Sequence, residues 1–423
     1  MSINEAIEVL KSNTDAGAAS YLDACVHCGQ CATACHFYEN TGDVRYAPVL
    51  KMDLMRRVYK RHLAPLSGIK RAMGLVPDEL TMDDFEEFSE LIYDSCTLCG
   101  RCTIVCPMGI DIAGMVRKTR EGMVAAGLVP EDLVGAADRA IEFGSPLKIT
   151  PEVLQKVCKK QEEEFGIPIP IDVVGADYLV ILSAMEVLQF YEVIGALAKI
   201  FRQAGISWTI STDGYEATNI GIQMGNKDIA RTLVGRIVGA AEKLGVKYVI
   251  SPECGHAYSA LKWEGPNLLG RAYDFEIIHI MELLDQLRRE GRIKARGSDD
   301  QRLTFHDPCQ IVRRGGVVDE PRHLMNMVAS NFVEMDNCGT ANICCGGGGG
   351  VSSNSRAEEL RIKAFGSKKK QLDDVKPDAM VTACANCRNV LEEALDEWDV
   401  DMEVLGLTEL VAEYLDETPP ANT

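Results

Sequence analysis

The apolar positions of this chain change period near its middle. Over "APVLKMDLMRRVYKRHL", "DDFEEFSELIYDSC" and "DIAGMVRKTREGMVAAG" they recur at three- and four-residue intervals, which puts one apolar stripe on an α-helix. From Asp177 the pattern becomes short apolar runs alternating with amphipathic stretches: "YLVILS", "EVIGALAKIFRQAG", "SWTIST", "KDIARTLVGRIVGAAEKLG" and "KYVISPECGH". After about residue 300 the order returns as "RLTFHDPC", "PRHLMNMVASNF", "NICCGGGGG", "SRAEELRIKAFGSKKKQLDD" and "DAMVTACANC". Strands alternating with helices predict a parallel sheet, and the recurrence predicts a duplicated α/β unit. The fold class is therefore α+α/β. A helical domain is expected over 1–130, a helical linker over 131–172, a first α/β repeat over 173–300, a second over 301–415 and a tail over 416–423.

Composition narrows the chemistry. With 423 residues, 46% of them hydrophobic and 25% charged, the chain has room for two or three ordinary globular domains. Its formal net charge of -19 argues against nucleic-acid binding, which rests on phosphate neutralisation by Lys and Arg. No apolar run approaches the roughly 20 residues of a membrane helix, and "MSINEAIEVLKSNTD" lacks the layout of a secretion signal. A cytoplasmic protein with no transmembrane segment is expected. Sixteen cysteines in such a chain point to metal rather than disulfides, because cytosolic thiols are kept reduced.

"CVHCGQCATAC" sets Cys25, Cys28, Cys31 and Cys35 in C-x2-C-x2-C-x3-C spacing, and "CTLCGRCTIVCP" repeats it with Cys96, Cys99, Cys102 and Cys106. This is the two-cluster ferredoxin pattern, in which three close thiolates wrap one cubane and the fourth reaches the other. Cys25, Cys28, Cys31 and Cys106 are assigned to one 4Fe-4S cluster, and Cys96, Cys99, Cys102 and Cys35 to a second. Gly29 and Gly100 fall where a tight loop must turn amides toward cluster sulfides. A structural zinc site also uses C-x2-C pairs, though not two complete copies of this spacing.

The later cysteines, Cys309, Cys344, Cys345, Cys384 and Cys387, follow the pattern C-x34-CC-x38-C-x2-C. Each group comes just after a predicted strand, and open α/β sheets bind ligands beyond the carboxyl ends of their strands. Here the chain resembles the CCG-domain proteins: the B-type and D-type chains of heterodisulfide reductase, and the K-type chain of the sulfite-reductase-associated membrane complex. The resemblance implies that these five cysteines hold a non-cubane 4Fe-4S cluster at which a disulfide is cleaved or formed. It also implies that the backbone at Gly346 and Gly347 lies against that cluster. A ferredoxin-like part fused ahead of a B-like part is the layout of the D-type chain. "CHFYENTGD" and "ECGHAY" are similar to the sulfite-reductase-associated branch and to the bacterial sulfur-oxidising heterodisulfide-reductase-like complex.

The first α/β repeat departs from the family pattern. "LVILSAMEV" has no cysteine, and "STDGYEATN" stands where a double cysteine would be. Aligned without a gap on "MVTACANC", "VISPECGH" puts Glu253 and His256 at the two C-x2-C positions, with Cys254 between them. One non-cubane cluster is therefore expected. Glu253, Cys254 and His256 are read as a polar and thiol surface for catalysis, as a residual metal site, or as a strand end that caps itself. His306, beside Asp307 in "HDPC", is read as a proton donor to a leaving thiolate or as a hydrogen-bond partner that orients the site. Cys158 and Cys338 are read as spare buried cysteines. The basic run from Lys51 to Arg71 reads as a solvated helix face, or else as a dock for an acidic partner.

The expected function is that of an iron–sulfur thiol–disulfide oxidoreductase subunit acting on a small or protein-bound dithiol in sulfur metabolism. Its cofactors are two cubane clusters and one non-cubane cluster. Its partners are other subunits of a heterodisulfide-reductase-like complex, with any flavin on a flavoprotein partner because no G-x-G-x-x-G fingerprint follows a strand. A dithiol or lipoyl carrier protein is the other expected partner. Two alternatives are an electron-conducting subunit of a 2-hydroxyacid or glycerol-3-phosphate dehydrogenase complex, and a zinc-stabilised binding module.

Overall fold

Short runs such as Leu179–Val180 and Val249–Ile250 are buried, which suits parallel strands covered by helices on both faces. The computed structural model describes residues 2–417, so the tail expected from 416 lies, beyond 417, outside the described residues. Eight strands are found there: β1 (Tyr178–Val180), β2 (Trp208–Ile210), β3 (Tyr248–Ser251), β4 (Glu276–His279), β5 (Asp299–His306), β6 (Ala329–Val333), β7 (Ala379–Thr382) and β8 (Glu403–Gly406). They form two parallel four-stranded sheets, β2-β1-β3-β4 and β6-β5-β7-β8. The same strand order recurs in both sheets, as the returning sequence pattern predicts. The architecture is helical at the amino end and α/β beyond it.

By its contacts the chain divides into two units. One comprises Met1–Gly135, Ile220–Lys227 and Ile343–Lys369; the other comprises Ala136–Asn219, Asp228–Asn342 and Lys370–Thr423. The first is helical. Helix Ile3–Ser12 packs along helix Ile112–Ala126 with Leu10 seated over Gly122, where an added Cβ would lie 2.7 Å from the Leu10 side chain. Helix Met82–Tyr93 is started by a reciprocal cap between Thr81 and Asp84 and buries Phe85 and Ile92.

The segment from Leu50 to Leu63 is not the single solvated helix expected. It runs as a 3₁₀ turn, a short α-helix (Asp53–Val58) and a π turn. Lys51 and Arg56 are buried, Arg57 pairs with Asp84 at 2.6 Å and Arg61 with Glu79 at 2.6 Å. Only Lys60, Lys70 and Arg71 of that basic run are exposed, because the apolar residues between them fold inward and carry their neighbours along.

In the second unit, helices of the two sheets pack on each other. Glu192–Ala204 meets Leu407–Glu413, Ala184–Leu188 meets Ala385–Glu397, and Ile280–Arg289 meets Glu320–Val328. Among the described residues no helix is long and apolar enough to cross a membrane.

Candidate metal centre

In the first unit the two ferredoxin-type motifs adopt the same loop. His27 and Gly29 have φ of 55° and 78°, and their counterparts Leu98 and Gly100 have 57° and 76°. These left-handed residues turn successive amides inward, a shape suited to an anionic group. Cys31 and Cys102 sit on the short helical turns Gln30–Ala34 and Arg101–Ile104 that follow.

The structure brings Cys106 to Cys25, Cys28 and Cys31, around a cavity lined also by Val49, Met52 and Ile110. It brings Cys35 to Cys96, Cys99 and Cys102, around a cavity lined also by Lys51, Phe37 and Thr97. Burial pushes the Cys35 and Cys102 thiols up, with Lys51 pulling both the other way. Four thiols around an apolar-walled space fit a cubane cluster.

The double cysteine belongs to this same unit. Cys344 and Cys345 are buried, the Gly346 N–H points at the Cys344 Sγ (3.4 Å) and the Gly347 N–H at the Cys345 Sγ (3.5 Å). The glycine run lies against the second ferredoxin-type loop. Gly349, at φ +61°, comes so near that a Cβ would be 2.9 Å from the Thr97 carbonyl carbon. Cys344 Sγ is 3.4 Å from Thr97 Oγ1. The buried Arg120 guanidinium ties the two loops, donating to the carbonyls of Gly349 (2.5 Å) and Cys96 (2.8 Å).

In the second unit β5 and β7 are neighbours with His306 opposite Thr382, so the segments leaving them emerge side by side. Cys309 follows β5, Cys384 caps helix Ala385–Glu397 and Cys387 lies in its first turn; all three are buried. A hydrogen bond from Cys387 is the main cause lowering the Cys384 thiol. His306 is fully buried at the end of β5, its carbonyl accepting from Thr382 Oγ1 at 3.1 Å. Asp307 is engaged elsewhere, accepting from Arg322 (2.8 Å) and from the Gly339 N–H (2.7 Å).

The loop after β3 departs from the ungapped alignment. Cys254 caps helix Gly255–Ser259 with φ −143° and ψ 103°, nearly the conformation of Cys384 (φ −152°, ψ 112°). Cap geometry therefore equates Cys254, not Glu253, with Cys384, and Ala257 rather than His256 with Cys387. The reason is one extra residue between strand end and cap: Pro252 and Glu253 stand where the second repeat has Ala383 alone. The Glu253 carbonyl accepts from the Ala385 N–H at 2.8 Å, so this loop meets the β7 loop. His256 is partly buried in the first turn of its short helix.

Glu253 is itself buried, its Oε1 accepting from the Thr408 N–H at 2.7 Å, while its own N–H donates to Glu186 at 3.1 Å. Burial, with the charge of Glu409 adding, pushes the Glu253 carboxyl up to about 8. Burial likewise raises Glu186 to about 7 and Glu216 to about 7. The Cys254 thiol is raised by burial and by Cys384 and Glu186. Sequence reading missed Glu186, Glu216 and Glu409. Only Glu186 carried a signal, the S-x-x-E start at Ser183. Cys158 lies buried in helix Pro151–Phe165, and Cys338 is half-buried beside Glu334.

Comparison with known proteins finds the same two kinds of cysteine site. A 4Fe-4S dicluster domain model matches residues 21–110, and the CCG cysteine-rich domain model matches 303–392. The chain is 28% identical to the Hdr-like menaquinol oxidoreductase iron-sulfur subunit 2 of Archaeoglobus fulgidus, over 93% of this chain and 80% of that protein. It is 28% identical to the D-type chain of the dihydromethanophenazine:CoB–CoM heterodisulfide reductase of Methanosarcina acetivorans, over 93% of this chain and 94% of that one. The chain carries both of these cysteine-rich domains and is similar along most of its length to heterodisulfide-reductase-type iron–sulfur chains. An EtfAB:quinone oxidoreductase of Syntrophomonas wolfei is 27% identical over 88% of this chain but 55% of its own length. The two matched domains and this similarity support an iron–sulfur protein with an oxidoreductase role.

Proposed function

We propose that the chain is a subunit of a heterodisulfide-reductase-like complex that interconverts a dithiol and a disulfide on a small molecule or carrier protein. Cys25, Cys28, Cys31 and Cys106 would hold one cubane 4Fe-4S cluster, and Cys35, Cys96, Cys99 and Cys102 another. Cys309, Cys344, Cys345, Cys384 and Cys387 are the ligand set that the family implies for a non-cubane cluster. When bound, these groups supply one-electron transfer and an iron site for substrate sulfur.

The observation that carries the reading is the packing of the double-cysteine loop on the second ferredoxin-type loop, through Thr97 and Arg120. On this reading, that packing would hold two thiolates of the special site beside a cubane site, as a conducting route to sulfur chemistry requires. Cys254, buried and with its thiol raised by its surroundings, is the residue proposed to exchange a proton with substrate sulfur; the His306 side chain, buried at the end of β5, is proposed to orient the site. His256 is proposed to line the approach to Cys254.

Metal analysis of the anaerobically purified chain tests this. About 12 irons per chain are expected for three 4Fe-4S clusters, whereas about 8 irons with one zinc would make the carboxyl half a zinc-stabilised module instead. A second reading, electron conduction without disulfide chemistry, is favoured by the relative named as a quinone oxidoreductase.

A further inference from the structure

The two four-cysteine sets of the first unit share one loop shape but differ in the charge around them. The cavity of Cys25, Cys28, Cys31 and Cys106 has no Lys or Arg in its described lining; the nearby Arg56 guanidinium, which contacts His27 of that lining, is paired with the carboxylate of Asp53 at 2.5 Å. The cavity of Cys35, Cys96, Cys99 and Cys102 includes Lys51.

Lys51 is 2% exposed. Its ammonium donates to the carbonyl of Ser95, the residue before Cys96, and lies 5.5 Å from the centre of the Phe37 ring. Among the described residues no carboxylate pairs with it. Burying a cation without a counter-charge is strongly unfavourable, because the ion gives up its water with nothing to replace it. The anions within reach are the thiolates of this one set. Lys51 is thus placed as their counter-charge, on one set and not the other.

We propose that Lys51 sets the reduction potential of the Cys35, Cys96, Cys99 and Cys102 site above that of the Cys25, Cys28, Cys31 and Cys106 site. The inference rests on the reading that each set holds a 4Fe-4S cluster. Taking up one electron adds one negative charge at a site, and a fixed cation against a buried site stabilises that charge strongly. The electron gained by the Lys51 site is the one given up by the other site; no bond or proton changes. Lys51 thereby directs the electron to the loop that Thr97 and Arg120 join to Cys344.

The test is a redox titration followed by electron paramagnetic resonance on the cluster-loaded full chain, with iron counted in each sample. Wild type is compared with Lys51→Gln, Lys51→Met and Lys51→Arg. Gln keeps a donor for the Ser95 carbonyl but no charge; Arg keeps the charge. Expected is a shift of one cubane signal to lower potential in both neutral variants, with the other signal unmoved, iron unchanged and Lys51→Arg near wild type. Unmoved potentials, or an equal shift of both signals, would overturn the proposal while leaving the two-cubane reading intact. A shift in Lys51→Met alone would assign the effect to the Ser95 hydrogen bond and overturn it too. Loss of one cluster from every folded variant would make Lys51 an assembly residue and also overturn it. A wild-type chain without two cubane signals would remove the underlying reading itself.

Discussion

Arg120 shows how much one buried side chain can hold together. Fully buried over the Tyr93 ring, it donates to the carbonyls of Ile92, Cys96, Gln223 and Gly349, which come from separate stretches of one unit. Arg120→Ala would leave those acceptors without partners at about 1–3 kcal/mol each. The expected outcome is a loss of at least about 3 kcal/mol in denaturant unfolding of the loaded chain, with Arg120→Lys intermediate. The buried carboxyls give a pH signature. Glu186 and Glu216 are raised to about 7, and Glu253 to about 8, each first by desolvation. A folded pKa above the unfolded value means the native state binds more protons, so their stabilisation is complete below about 4.5 and is lost as pH rises through about 7 to 8. The unfolding midpoint should fall across that window, and Glu216→Gln should flatten the slope. A midpoint independent of pH between 5 and 8 would contradict these assignments.

Loops and caps, rather than strands and helices, carry the chemistry. Gly349 sits at a positive φ with Thr97 and Cys96 backbone under 3.1 Å from any Cβ, and backbone cannot swing aside. Gly349→Ala is therefore expected to destabilise by more than about 1 kcal/mol and to detach the double-cysteine loop. Loss of the Cys344–Thr97 contact, read as faster amide exchange at 344–350, would accompany it. Gly29, with no atom within 4 Å of a would-be Cβ, bears only the backbone cost of its φ. Much of this was legible beforehand. The C-x2-C-x2-C-x3-C spacing determines a tight loop, and the apolar runs ahead of Cys309 and Cys384 mark strand ends. The loop after β3 was not, because an ungapped alignment has no way to register the extra residue that moves Cys254 into the cap. Nor was the fate of the basic run: Lys51 and Arg56 carry charge in sequence, but their neighbours Met52, Leu54 and Met55 pull them inside.

The same holds for the molecule as a whole. Helical periodicity before Asp177 and strand-helix alternation after it foretold a helical part and two parallel sheets, since periodicity reports which faces are buried. Chain order hid something else: Ile343–Lys369 folds with the amino-terminal helices although it lies in the second α/β repeat. Helix Glu358–Ala364 packs on helix His36–Thr41, and Asn40 bonds to Ser367 at 2.7 Å, contacts spanning more than three hundred positions that no local pattern announces. The double cysteine is thereby made part of the ferredoxin-type unit, which under the proposed function would tie the cubane sites to sulfur chemistry. The most direct test is electron paramagnetic resonance of the anaerobic, oxidised full chain with and without an added thiol. A signal beyond those of the cubanes, changed by thiol and abolished in Cys345→Ser with the cubane signals kept, is the predicted result. Cubane signals alone, indifferent to thiol and to Cys345→Ser, would contradict it.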